Sequence, residues 1–136
     1  MRRRESGFTL IEVLIAVVLV GILSAVAIPS YSSYVMRGRL TEAFTTLSAM
    51  QPKAEEFWSN NRTYVGLPLP AASANFSYTL DATASSYTVS ATGSGSTASF
   101  VFTIDQNGNR ATTGAPADWT TSASCWVDRK GGKCVQ

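Results

Sequence analysis

The most apolar part of the chain is a single run near the N-terminus. Residues 8–28 read FTLIEVLIAVVLVGILSAVAI, and Glu12 is the only ionisable side chain among them. As a helix, these 21 residues would span roughly 31 Å at about 1.5 Å per residue, which matches a bilayer core about 30 Å thick. The pattern therefore predicts a membrane-spanning helix.

A second apolar pattern follows with helical spacing. Beyond Pro29, apolar side chains recur near one face of a 3.6-residue period. They are Leu40, Phe44, Leu47, Ala54 and Trp58. We expect one long helix over about residues 8–59, kinked at Pro29 and weakened again at Pro52. Its first part, residues 8–28, is the membrane segment, and its second part, residues 29–59, is amphipathic and packs against the rest of the chain.

After residues 60–61 comes a loop marked by Pro68 and Pro70, and the hydrophobic period then changes to two, which is typical of half-buried strands. The alternating apolar sets are Phe76, Tyr78 and Leu80, then Tyr87, Val89 and Ala91, then Phe100, Phe102 and Ile104. Turn residues lie at positions 94–96 and 105–109, which suits hairpins. An antiparallel sheet of three strands is expected, or of four if residues 110–112 add one. The chain is therefore predicted to be α+β, with a long bent helix packed on the sheet and residues 60–136 as a globular head.

Two cysteines, Cys125 and Cys134, lie close together near the C-terminus, and the chain has no histidine. Two cysteines alone cannot complete an ordinary four-ligand zinc site, so no metal is expected. A pair that closes a short loop behind an export signal indicates a disulfide, and hence an oxidising compartment. In the chain-entropy model such a loop stabilises the fold by roughly 2.5–3 kcal/mol.

The residues before the apolar run set the orientation of the membrane helix. Positions 2–4 are all arginine, so the positive-inside rule places the N-terminus in the cytoplasm. Three interpretations fit: a cleaved secretory signal, an uncleaved anchor, and a leader cut on its cytoplasmic side. The first is supported by Ala-Val-Ala at positions 25–27, which matches the pattern before a signal-peptidase cut and would leave Ile28 as the new N-terminus.

Glu12 favours the third interpretation. An acidic side chain near mid-membrane costs about 2.5–3.5 kcal/mol, and less near a helix end, so it benefits from a partner. A cut between Gly7 and Phe8 would place a new amine within one turn of Glu12. That amine could pair with this carboxylate or with its copy in a neighbouring subunit. Snorkelling of Glu12 to the membrane edge is the alternative.

These residues resemble the type IV pilin family, in which a basic leader ends in glycine and is followed by Phe-Thr-Leu-Ile-Glu. The resemblance covers about residues 2–34. It implies that a membrane prepilin peptidase removes residues 1–7 by cutting after Gly7 and then N-methylates Phe8. It also implies that Glu12 guides the docking of subunits.

The resemblance further implies where the protein works. The precursor would span the inner membrane once, with its head in the periplasm, and an assembly platform would transfer it into an extracellular pilus made with other pilin subunits. The C-terminal region is most similar to minor pilins of the PilE and ComP kind, which implies roles in pilus assembly, adhesion, twitching motility or DNA uptake. A major pilin, a type II secretion pseudopilin and a pilus-borne DNA receptor are the alternatives. The tail has no convincing run of oxygen ligands for the calcium that pseudopilins commonly bind.

The net charge of the chain is too small to attract nucleic acid to the protein as a whole. The formal net charge is +2, and removing residues 1–7 takes away three arginines and one glutamate, which leaves eight basic and eight acidic side chains. The case for nucleic acid is therefore local: Arg129, Lys130 and Lys133 lie inside the cysteine loop with Trp126 beside them. Such a set offers phosphate attraction next to an aromatic face. A solvated loop tip would account for the same charges.

Catalytic chemistry has no support in the sequence. Without histidine, the common Ser-His and Cys-His pairs cannot form, and no glycine motif for phosphates or dinucleotides is present. Glu55 and Glu56 are adjacent on the predicted helix and point about 100° apart, which indicates solvated surface. We expect no enzyme and no cofactor, with a secreted enzyme behind an ordinary signal peptide as the alternative class.

Overall fold

The computed structural model describes residues 7–135. The arginines at positions 2–4, and with them most of the predicted leader, lie outside the described residues. The chain divides between Val35 and Met36 into two compact units. The first unit contains the beginning of one long helix, and the second contains the rest of that helix and the strands.

The helix, α1, occupies Leu10–Asn61 and ends two residues beyond the predicted boundary. The residue before it is Thr9, whose hydroxyl and carbonyl oxygens accept the backbone N–H of Glu12 at 3.3 Å and 3.1 Å. This is an N-cap, which satisfies a donor that the first turn would otherwise leave unpaired. The residue after the helix is Arg62, whose φ of +56° is left-handed and stops the α-helical ladder.

Neither of the predicted weak points interrupts α1. The helix continues past Pro52 and past Pro29, although proline removes a donor from the ladder. The carbonyl of Pro29 accepts hydrogen bonds from the hydroxyls of Ser32 at 3.0 Å and Ser33 at 3.2 Å. The prediction that one helix extends through both prolines is confirmed, and the kink at Pro29 stays a prediction.

The second unit contains a four-stranded antiparallel sheet in which each strand pairs with the next along the chain. Its strands are β1 Phe76–Ala82, β2 Tyr87–Gly93, β3 Val101–Asp105 and β4 Arg110–Gly114. The predicted α+β class and the antiparallel sheet are confirmed, including the fourth strand near residues 110–112. Tyr78 and Leu80 are only partly buried because β1 is an edge strand.

The core of the second unit lies between α1 and the inner face of the sheet. From α1 it receives Leu40, Ala43, Phe44, Leu47, Met50 and Ala54. From the sheet and its flanks it receives Phe76, Tyr87, Val89, Ala91, Phe100, Phe102 and Ile104. The apolar faces predicted for the helix and for the strands therefore pack into one core. The burial of this apolar area is the main force that holds the head together.

A short hairpin that the sequence did not predict follows the sheet. Its strands are β5 Val127–Arg129 and β6 Lys133–Cys134. Between them Gly131 and Gly132 adopt φ values of +78° and +73°, a conformation that glycine takes without a steric penalty. The tight turn allows the chain to reverse within three residues.

A disulfide closes the base of the hairpin, and one buried hydroxyl joins the hairpin to the sheet. Cys125 and Cys134 form the predicted disulfide, with Cα atoms 5.8 Å apart. The hydroxyl of Thr112 on β4 donates to the carbonyl of Cys125 and accepts the backbone N–H of Val127, both at 2.9 Å. Because the hydroxyl satisfies both groups, the chain can pass through the core here without losing hydrogen bonds.

Candidate functional site

The N-terminal candidates lie at the start of α1. Gly7 and Phe8 precede the helix without regular structure, and the Phe8 side chain is 83% exposed. Glu12 is in the first turn, and its carboxylate has no hydrogen-bond or ion-pair partner within residues 7–135. The sequence analysis missed that Thr9 and Glu12 have the spacing of a capping box. One of its two hydrogen bonds is formed, from the backbone N–H of Glu12 to the hydroxyl of Thr9.

The apolar segment at residues 8–28 is almost entirely exposed. Each of its large hydrophobic side chains is more than half accessible. In the described part of the chain, α1 is the one helix long and apolar enough to cross a membrane. So much contiguous apolar surface is stable only in an apolar environment, which a bilayer or the flanks of other helices can supply.

The three basic residues of the cysteine loop lie on the exposed side of the hairpin, and two of them face carboxylates. Lys130 Nζ lies 2.7 Å from Asp118, and Arg129 Nε lies 3.6 Å from Asp128. The hydrogen bond from Lys130 lowers the pKa of Asp118, so this aspartate keeps its negative charge in moderately acidic solution. Lys133 has no carboxylate within 4 Å among the described residues. The patch is therefore less positive than its three cations suggest.

The tip of the hairpin is held by backbone hydrogen bonds. The N–H of Gly131 donates to the carbonyl of Asp118 at 2.9 Å, and the N–H of Gly132 donates to that of Trp119 at 2.8 Å. Trp119 is itself buried, with its ring edge-to-face against Phe100 at 5.0 Å. The basic residues are therefore presented on a supported surface rather than on a loop that has only solvent around it.

The structure corrects the predicted surroundings of Trp126. Instead of an open face beside the loop cations, its side chain is only 2% exposed. One face of the ring stacks on Phe44 of α1, with centroids 5.4 Å and planes 6° apart, and Nε1–H donates to the carbonyl of Thr103 at 2.8 Å. The indole lies in the core because its large apolar area is buried there while its N–H still finds an acceptor.

The cation that contacts Trp126 is Arg110, the first residue of β4. Its guanidinium carbon lies 4.4 Å from the centroid of the indole ring, a cation–π contact. Arg110 is exposed, and its side chain has no carboxylate within 4 Å in the part of the chain that the structure describes. Sequence analysis missed this pair, because the two residues are far apart in the chain and only the fold brings them together.

Arg110 and Trp126 belong to the walls of an open cleft of about 560 Å³. The turn between β3 and β4 supplies Gly108 and Asn109, and the segment before β5 supplies Ser124. Among the described lining residues, Arg110 is the one charged side chain. The cleft therefore combines one cation, uncharged polar groups and an aromatic floor.

Hydrogen bonds fix the shape of the turn that forms one wall of this cleft. The Asp105 carboxylate accepts the backbone N–H groups of Asn107 and Asn109, both at 2.9 Å, and the side-chain amide of Asn109 at 2.8 Å. Burial alone would raise the pKa of Asp105, but these hydrogen bonds hold it below its ordinary value. Gly108 has a φ of +77°, and a Cβ there would lie 2.7 Å from Nε2 of Gln51 on α1. The turn is thus held by a charged carboxylate and by close packing against α1.

Two family models match the sequence. The model described as "Type IV minor pilin ComP, DNA uptake sequence receptor" matches residues 29–112, which is more than half of the chain. These residues include the later part of α1 and the four-stranded sheet. The model described as "Prokaryotic N-terminal methylation motif" matches residues 2–28.

Curated relatives are fimbrial and pilin proteins. The chain is 37% identical over 60 residues to "Fimbrial protein EcpC" of Eikenella corrodens, and 32% identical over 98 residues to "Type IV major pilin protein PilE1" of Neisseria gonorrhoeae. It is 45% identical over 53 residues to a "Fimbrial protein" of Pseudomonas aeruginosa. These alignments cover 44%, 68% and 39% of this chain, and 39%, 59% and 34% of the relatives' own lengths. The chain therefore spans between about a third and three fifths of the length of these curated relatives.

Proposed function

Since the chain belongs to the type IV pilin family and carries a ComP-type minor-pilin domain, we propose that it is a minor pilin whose head binds DNA. Its long N-terminal helix, antiparallel sheet and C-terminal disulfide fit the type IV pilin fold. Members of this family are structural subunits that assemble with other pilins into filaments, so the expectation that the chain is not an enzyme is confirmed. The observation that carries the DNA proposal is the match of the DNA-receptor model to residues 29–112.

The charges of the head give this proposal a physical basis. Arg110 and Lys133 have no carboxylate within 4 Å in the described residues, so their positive charges are available to phosphates. Arg129 and Lys130 belong to the same C-terminal hairpin as Lys133 but are partly neutralised by Asp128 and Asp118. Since the mature head is close to neutral as a whole, DNA affinity depends on this local arrangement.

The test is salt-dependent DNA binding by the full chain in a non-ionic detergent, measured by fluorescence anisotropy with a labelled duplex. Affinity should fall steeply with salt, because phosphate contacts release counterions. Replacing Arg129, Lys130 and Lys133 together with alanine should lower the affinity about tenfold or more and make the salt dependence shallower. Negligible binding by both proteins would remove the proposal.

Two controls make this test specific to the C-terminal region. A matched variant removes three positive charges elsewhere, at Arg37, Lys53 and Arg62, and should bind duplex DNA much as the parent does. Asp118→Asn removes the carboxylate that faces Lys130 and should tighten binding several-fold. Equal losses in both triple variants would mean that net charge, rather than this surface, governs binding.

We further propose that residues 1–7 are a leader removed by a prepilin peptidase, which cuts after Gly7 and N-methylates Phe8. The N-terminal methylation motif at residues 2–28 supports this processing, and Phe8 is exposed in a non-helical segment that a protease can bind. Mass spectrometry of the mature protein should show N-methyl-Phe8 as the first residue, and Gly7→Val should leave the precursor uncut. A mature N-terminus at Ile28 would instead indicate an ordinary secretory signal.

The same family membership and the apolar helix support a two-stage location. We propose that the precursor spans the inner membrane once through residues 8–28, with a cytoplasmic N-terminus and residues 60–136 in the periplasm. Residues 29–59 join these parts, and the assembly platform then transfers the subunit into an extracellular pilus. In the filament, Glu12 would pair with the amine of Phe8 in its own or a neighbouring subunit, because an unpaired buried charge is costly.

A major pilin is the second candidate, and one observation favours it. The relative from Neisseria gonorrhoeae, 32% identical over 98 residues, is described as a major pilin. The two roles differ in abundance: loss of a major pilin abolishes filaments, whereas loss of a minor pilin that binds DNA leaves them and removes DNA uptake. Deletion of the gene, followed by electron microscopy and a transformation assay, separates the two.

A further inference from the structure

We propose that the cleft beside the disulfide is a site for an unpaired nucleobase, with Trp126 as the stacking platform and Arg110 as a cover that the base displaces. The base can come from a free nucleotide or from an unpaired or terminal position in DNA. Where the source is DNA, the inference rests on the proposed function and adds a base contact to the proposed phosphate contacts.

Trp126 is a rigid platform because both its inner face and its N–H are fixed. The inner face stacks on Phe44 in nearly parallel planes, and the hydrogen bond from Nε1–H to Thr103 holds the ring against rotation. Phe44 in turn lies edge-to-face on Phe102, with centroids 4.9 Å apart. A planar ligand on the outer face would therefore meet a surface that does not need to reorganise.

The Arg110 side chain covers the outer face of this platform. The Arg110 guanidinium lies 4.4 Å from the ring centroid, and its side chain makes no hydrogen bond or ion pair with any described residue. Stacking of a base on an aromatic ring is stronger than an exposed cation–π contact, so exchange of the guanidinium for a base is favourable. Once displaced, the guanidinium is available to hold the phosphate of the same nucleotide in bidentate fashion.

The walls of the cleft suit a nucleotide in size and charge. A volume of about 560 Å³ is within the range of small-ligand sites. Asn109 and Ser124 offer neutral donors and acceptors to a base edge, and no carboxylate occurs among the described lining residues to repel a phosphate. A base inside a duplex has both faces covered by its neighbours, so the ligand has to be an unpaired or terminal base.

The test follows the three tryptophan indole N–H signals of the full chain, in a non-ionic detergent, by nitrogen–proton NMR. Titration with dGMP should shift the Trp126 signal in a saturable way while Trp58 and Trp119 act as internal controls. Deoxyribose 5′-phosphate, which has the charge but no base, should leave the Trp126 signal in place. Equal effects of these two compounds on Trp126 would overturn the inference.

Arg110→Ala removes the side chain that covers the ring and leaves Trp126, the stacking platform, in place. The variant should bind deoxyguanosine at least as well as the parent, because no side chain has to be displaced, but should lose roughly tenfold in affinity for dGMP, because the phosphate contact is gone. Arg62→Ala is the matched control, since Arg62 also covers a tryptophan, with its guanidinium carbon 5.1 Å from the centroid of the Trp58 ring. Identical behaviour of the two variants would contradict the proposed site.

DNA with and without an unpaired end separates this inference from the proposed function. A duplex with a short single-stranded overhang should bind more tightly than the blunt duplex, and Arg110→Ala should reduce that preference. Salt-dependent duplex binding with no overhang preference and no dGMP shift would overturn the nucleobase site and leave the DNA-binding role standing. Saturable dGMP binding without duplex binding would support the site with a free nucleotide as its ligand and remove the proposed function.

Discussion

At the scale of single residues, Glu42 joins α1 to the segment that leads into the sheet. Its carboxylate accepts a hydrogen bond from the side-chain amide of Asn75 at 2.8 Å, and Ser73 provides another. The carbonyl of Asn75 accepts the N–H of Ser94 at 2.8 Å and the hydroxyl of Thr97 at 2.7 Å. One carboxylate on the helix therefore helps to position the beginning of β1 and the turn after β2.

Protonation of Glu42 is expected to weaken the head in acid. The hydrogen bonds from Ser73 and Asn75 hold the pKa of this carboxyl below its ordinary value of 4.5. The stabilisation is therefore fully present above pH 4.5 and is lost as the pH falls through the lowered pKa of the folded state. Because the group is partly solvated, the loss in free energy of unfolding stays below about 1 kcal/mol.

Glu42→Gln should remove this part of the acid sensitivity, measured as the Tm of the full chain in detergent between about pH 6 and about pH 3. Glu56→Gln is the control, because Glu56 is exposed and has no hydrogen-bond partner among the described residues. The control should follow the parent's pH profile. Identical profiles for the Glu42 and Glu56 variants would show that the contact with Asn75 contributes nothing.

The sequence draws attention to single residues whose chemistry is unusual for their surroundings. Glu12 was evident because a carboxylate interrupts an apolar run, and the cysteine pair because the chain has only two. The contacts of Glu42 with Asn75 and of Arg110 with Trp126 could not be predicted, since each joins ordinary residues that are distant in sequence. Such pairs form only when the tertiary fold brings their segments together, and no local pattern in the sequence marks them.

At the scale of elements, the C-terminal hairpin is held by three kinds of contact. The disulfide joins its base, the backbone groups of Gly131 and Gly132 donate to the segment around Trp119, and the N–H of Val135 donates to the carbonyl of Trp126 at 3.0 Å. The hairpin therefore does not depend on the disulfide alone. Loss of that bond is expected to loosen this element while the four-stranded sheet persists.

Replacing Cys125 and Cys134 together with serine should lower the free energy of unfolding by roughly 2–3 kcal/mol, since the unfolded chain regains the freedom of the open loop. Urea denaturation of the full chain in detergent, with hydrogen exchange to locate the change, would measure it. Lys130→Ala is a control in the same element and should cost less than about 1 kcal/mol, because its ion pair with Asp118 is exposed. A double variant as stable as the parent would contradict the entropic role of the disulfide.

The longer elements could be predicted from the sequence, because a hydrophobic period is visible only over several residues. The strands β1 to β3 alternate over five to seven residues, enough for a period of two to be visible, and α1 shows helical spacing over several turns. The strands β5 and β6 have three and two residues, which is too short for any period. Gly131-Gly132 was the available signal, since two consecutive glycines favour a tight hairpin turn.

At the scale of the whole molecule, we propose that Glu12 links processing to assembly. Glu12→Ala should leave membrane insertion intact, because it removes a polar group from an apolar segment, but should abolish incorporation into filaments. The measurement is the fraction of subunit in sheared pili relative to the membrane fraction. Glu12→Asp keeps the charge and should retain part of the incorporation, whereas parental incorporation of the alanine variant would refute the pairing of Glu12 with an amine.

The division of the chain between Val35 and Met36 has a consequence for how the protein can evolve. Every core side chain of the described residues lies beyond that boundary, beginning at Leu40. The folding of the head is therefore insulated from whatever surrounds residues 8–28, so substitutions in one unit need not be compensated in the other. The exposed surface of the head can therefore diversify, while the apolar segment is constrained separately by the apolar environment it must fit.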